Sequence, residues 1–60
     1  MRYFKVQWLD VNSGDGFAEL EGIRYYFNAL HLSIEQCQDI IDIGVVRGVV
    51  VDNQISLENS

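Results

Sequence analysis

Hydrophobic and polar positions alternate along most of this chain, and the period changes once. "RYFKVQWLDV", residues 2–11, is rich in aromatic and β-branched residues and predicts a long first strand. "NSGDG", residues 12–16, is a turn by composition. "FAEL" and "IRYYFN" flank Glu21 and Gly22 and predict a hairpin. The period then lengthens. In "SIEQCQDIID", Ile34, Cys37, Ile40 and Ile41 fall on one helical face, and Glu35, Gln38, Asp39 and Asp42 on the other. Ser33 is placed to cap that helix, Gln36 to complete a capping box, and Gly44 to end it. "VVRGVVVD" predicts a buried fourth strand with Gly48 as a bulge or bend. Asp52 and Asn53 make a turn, and "QISLE" closes as a fifth strand.

Taking Glu21 and Gly22 as the hairpin loop fixes a register. Leu20 faces Ile23, Glu19 faces Arg24, Ala18 faces Tyr25, and Phe17 faces Tyr26. One face then carries Leu20, Ile23, Ala18 and Tyr25, a core face. The other carries Glu19 with Arg24, Phe17 with Tyr26, and Asp15 near Asn28. A slip of one residue would turn the charges inward, so the pattern is self-consistent. It also leaves an aromatic pair on the solvent side. Such a pair stabilises a sheet by roughly 0.2–1 kcal/mol with no ligand involved. It also provides rings on which the bases of single-stranded nucleic acid stack, at about 1–3 kcal/mol per base.

Three strands, a helix and two strands is the order of a small five-stranded Greek-key barrel of the OB type, a mainly β fold. An open sheet with the helix across one face has the same element order. Sixty residues make one domain, near the lower limit for folding alone. The single cysteine, Cys37, allows no internal disulfide, and with the single histidine, His31, it argues against a structural zinc site or any other metal. The composition, 48% hydrophobic and 22% charged, is that of a globular chain. No apolar run is long enough to span a bilayer and no signal peptide is visible, so the expectation is a cytoplasmic protein that does not engage membranes. A net charge of −5, with only Arg2, Lys5, Arg24 and Arg47 basic, argues against a protein that wraps nucleic acid by charge alone. No nucleophile has a base at a useful spacing and no loop cradles a phosphate, so neither catalysis nor a cofactor is expected.

The first half of the chain resembles the cold-shock domain family. The family's opening strand reads K-V-K-W-F-N, matched here by "KVQWLD", residues 5–10. Its first RNA-binding motif reads K-G-F-G-F-I, matched by "SGDGFA", residues 13–18. Its second reads V-F-V-H-F followed by S-A-I, matched by "IRYYF" with "NAL", residues 23–30. Beyond residue 30 the likeness rests on element order alone, and the helix is closer to the wider OB-fold. The resemblance implies base stacking by Trp8, Phe17, Tyr26 and Phe27, with Tyr26 standing where the family has histidine. It also shows losses. Asp15 and Arg24 replace phenylalanines, and Ser13 and Gln7 stand where the family has lysines that meet phosphate.

The candidate nucleic-acid-binding set is therefore Lys5, Trp8, Phe17, Arg24, Tyr26 and Phe27, with no catalytic residue. Each has a plainer reading. Trp8 shares strand parity with Phe4 and Val6, which places it in the core unless strand 1 bends. Phe27 shares parity with Tyr25 and Ile23, and only the resemblance argues for stacking. Arg24 is placed to pair with Glu19, an exposed pair worth little. His31 reads as a surface or packed side chain, and Cys37 as a small buried hydrophobe. Two functions from different classes follow. One is single-stranded RNA or DNA binding of modest affinity through the aromatic surface of strands 1–3. The other is a small acidic OB-type inhibitor or adaptor that docks a protein partner through the aromatic face or the acidic helix. A neutral or positive surround of Phe17 and Tyr26 favours the first. A ring of Asp10, Asp15, Glu19 and Glu21 favours the second.

Overall fold

The computed structural model describes residues 2–57. The strands are β1 (Arg2–Leu9), β2 (Asp15–Leu20), β3 (Ile23–Asn28), β4 (Val45–Val51) and β5 (Gln54–Leu57), with one helix, α1 (Ile34–Ile43), between β3 and β4. They close into a barrel in the order β1-β2-β3-β5-β4, with β4 returning to β1. All neighbours are antiparallel except β3 and β5, which run parallel. This is the Greek-key order of an OB-type barrel, with the helix where the sequence places it. Closure suits a short chain, because it pairs strand edges without a second layer of helices.

The core follows from alternation. Phe4, Ala18, Phe27, Ala29, Cys37, Val46 and Ile55 are buried, and Val6, Leu9, Leu20, Tyr25, Leu32, Ile40 and Leu57 pack around them. Phe4 and Phe27 are the largest fully buried side chains, each contributing about 1.5–3 kcal/mol by burial. Tyr25 meets Phe4 edge to face at 5.7 Å. The hairpin register is the one derived from the sequence, from Asp15 opposite Asn28 to Leu20 opposite Ile23. Glu21 and Gly22 take φ of 54° and 81°, and Asp52 and Asn53 take 52° and 64°. Both hairpins thus turn on two residues of positive φ, the condition of a type I′ turn.

The capping box is formed. Gln36 donates its backbone N–H to Ser33 Oγ at 3.1 Å, and Ser33 N–H donates to Gln36 Oε1 at 3.0 Å. Gly44 ends the helix with φ 78°, and its N–H reaches Ile40 O. Four expectations are corrected. Strand 1 stops at Leu9 rather than residue 11, because Asp10 Oδ1 accepts from the N–H groups of Asn12 and Ser13 and starts the turn. β4 is not buried throughout, since only Val46 and Gly48 are, and Gly48 is where the strand changes partners, pairing with β1 up to that residue and with β5 from it onward. Ile23 keeps core parity but is 56% exposed, because it lies at the hairpin tip beyond the barrel's packed interior. Ile34 and Ile41 are exposed as well, because the ten-residue helix packs mainly on β1 and β4 and buries a narrow stripe, Cys37 with Ile40 beside it. Glu58, the last residue of the expected fifth strand, lies outside the described residues.

Candidate functional site

The outer face of β1, β2 and β3 is built by one irregularity. Between Val6 and Trp8 the β1–β2 register slips. Val6 pairs with Ala18, and the next pair is Trp8 with Phe17. Gln7 is the extra residue of a β-bulge, which bends the strand and re-aims the next side chain. Gln7 and Trp8 therefore both point outward, and Leu9 turns back to the core. This decides Trp8 against the core: it is 49% exposed. Strand 1 carried the signal, because its apolar parity switches from Phe4 and Val6 to Leu9.

Three rings then line up across three strands. Trp8 and Phe17 are stacked, with centroids 6.0 Å apart and planes at 29°. Phe17 and Tyr26 meet edge to face at 6.1 Å and 70°. The Arg24 guanidinium lies over Phe17, 5.3 Å from its centroid. That corrects the expected Arg24–Glu19 pair. Glu19 accepts instead from Gln7 Nε2 at 2.8 Å, and the Arg24 guanidinium sits over the ring at cation–π distance. Lys5 is exposed on the same face of β1, with Glu19 across from it.

A polar group adjoins Tyr26. Its hydroxyl donates to Asp15 Oδ1 at 2.6 Å. Asn28 Nδ2 donates to the same carboxylate oxygen at 3.3 Å and to Tyr26 Oη at 3.2 Å. The Tyr26 hydrogen bond is the main cause that holds the Asp15 carboxyl below its ordinary value. Partial desolvation opposes it, and Ser13 and Asn28 add smaller contributions in the same direction. The sequence reading places Asp15 near Asn28 and takes it as a lost ring and as one of the acids around the face. Its part in holding Tyr26 was missed, although the hairpin register held the signal.

Phe27 does not belong to this face. Its exposure is 0%, and its ring lies beneath Gly16, where an added Cβ would come within 2.5 Å of it. The glycine after Asp15 is needed for this close approach. The surround of the row is near charge balance. Lys5 and Arg24 offset Asp15 and Glu19, Asp10 faces the β1–β2 turn, and Glu21 pairs with Arg2 at 3.4 Å.

Elsewhere, Glu35, Asp39 and Asp42 are exposed on the helix, as is His31 before it. Cys37 is buried, with its thiol 3.7 Å from Ala29 O. Among the described residues no three His, Cys, Asp or Glu side chains gather as metal ligands, and no helix is long and apolar enough to cross a membrane. An open groove of about 370 Å³ lies between α1 and β4, lined by Leu32, Ile40, Val46 and Leu57 with Asp39 and Arg47, none of which belongs to the aromatic row. No family model matches the chain, and neither a curated protein nor a solved structure matches it.

Proposed function

We propose that the protein is a cold-shock-like, non-catalytic binder of single-stranded nucleic acid, RNA or DNA, that works by stacking bases on the outer face of β1–β3. The observation that carries this is the continuous row Trp8–Phe17–Tyr26 with Arg24 laid on its central ring. Stacking is tolerant of sequence, because every base has a π face, and a guanidinium plane stacks as an aromatic does. The cold-shock resemblance of residues 5–30 supports the reading at Trp8, Phe17 and Tyr26, while Phe27 serves the core. Lys5 is the cation placed to meet a phosphate on this face.

The test is a titration of Trp8 emission with short single-stranded oligonucleotides, run beside a Phe17→Ala, Tyr26→Ala double variant whose fold is checked by circular dichroism. Saturable quenching in the wild type, weakened at least tenfold in the double variant, is expected; two lost stacks at about 1–3 kcal/mol each account for it. Unchanged emission with every oligonucleotide at low salt would sink the proposal. A second reading, a protein-interaction module using the same face, is favoured by the net charge of −5. It gains if the titration fails and the same double variant loses capture of a protein partner.

A further inference from the structure

Asp15 stands where a fourth stacking ring would suit the function above, and its geometry gives it a different use. The carboxylate lies at the hydroxyl end of the Tyr26 ring, held by Tyr26 and Asn28 on one oxygen. A carboxylate accepts about four hydrogen bonds and donates none. Tyr26, Asn28 and Ser13 use three at most, so acceptor capacity remains beside the ring. Its hydrogen bonds come from the neutral groups of Tyr26, Asn28 and Ser13, and among the described residues the nearest cation on this face, Arg24, is engaged over Phe17. A phosphate is repelled there. A base edge made of donors is not.

The four bases differ in this respect. Guanine presents two adjacent donors on its Watson–Crick edge, N1–H and the N2 amino group, which match the two oxygens of a carboxylate. Adenine and cytosine each offer one amino group beside an acceptor nitrogen. Thymine and uracil offer one N–H between two carbonyls. We infer that Asp15 is a base-reading residue, which selects guanine for the position stacked on Tyr26, with Tyr26 and Asn28 as the groups that position it. The inference rests on the stacking face of the preceding subsection. It adds that the ligand is guanine-containing single-stranded nucleic acid, read by its base edge rather than its backbone.

The experiment compares heptamers of thymidine whose central base is guanine, hypoxanthine or adenine. Hypoxanthine lacks the N2 amino group and adenine lacks both donors. Wild-type protein is expected to bind the guanine heptamer about tenfold more tightly than either, within the range for one good two-point base contact. In Asp15→Asn, checked for fold by circular dichroism, the ratio should fall to within about twofold. Tyr26→Phe keeps the ring but releases the carboxylate, and should lower the same ratio. A merely structural defect would weaken all three heptamers alike and leave the ratio intact. Equal binding of the three by the wild type, or an unchanged ratio in Asp15→Asn, overturns the guanine assignment and leaves the stacking face standing. Failure of all three to bind overturns both.

Discussion

At the scale of the residue, one acid changes the meaning of its neighbours. Asp15 accepts the Tyr26 hydroxyl, and its carboxyl is held below the ordinary value by that bond first. The sign of the linkage follows. A carboxyl whose folded value is depressed contributes stability above its unfolded value, about 3.9, and loses it as pH falls through the folded value. Wild-type protein should therefore lose stability between pH 5 and the folded value of Asp15 more steeply than Asp15→Asn does. Urea denaturation at a series of pH values over that interval checks it, and parallel curves would show that the bond contributes nothing to folding. The hydroxyl and the carboxylate were each visible in the sequence. Their contact was not, because it needs both the hairpin register and a side chain long enough to cross it.

At the scale of the element, what was legible depended on whether the cause was local. The helix cap was readable because its partners, Ser33 and Gln36, lie three residues apart and satisfy each other's backbone groups. Ser33→Ala should cost about 1 kcal/mol, measured as a lower denaturation midpoint with an unchanged slope. No change would mean that the first turn is held by packing alone. The hairpin register was readable because a slip would invert two faces at once. The direction of Trp8 is harder to read from the sequence, for the opposite reason. Strand 1 carries two phases, Phe4 with Val6 and then Leu9, and only the pairing with β2 shows that Gln7 absorbs the slip. The breadth of the helix's apolar face misled as well. Periodicity counts isoleucines, whereas burial depends on how much barrel lies beneath them, and Ile34 and Ile41 have little.

At the scale of the molecule, charge sets how a ligand must be held. Two cations, Lys5 and Arg24, stand on the aromatic face, and the Arg24 guanidinium lies over Phe17. With two phosphate contacts at most, binding of single strands should weaken with salt at a log–log slope no steeper than about −1.5. A slope near −4 would place the backbone on another surface. The barrel itself adds one more consequence. It closes through β3 and β5, which meet over only two residue pairs, Tyr26 with Gln54 and Phe27 with Ile55. These partners lie 28 residues apart in sequence, so the seam closes a long loop with the fewest residue pairs of the five strand contacts. Tyr26 is thus both the last ring of the row and one side of the weld. A strand lying across Tyr26 and Gln54 would clamp that weld, and the free energy of binding would count toward keeping the barrel shut. On the proposed function, occupancy of the face and closure of the barrel would be coupled halves of one equilibrium.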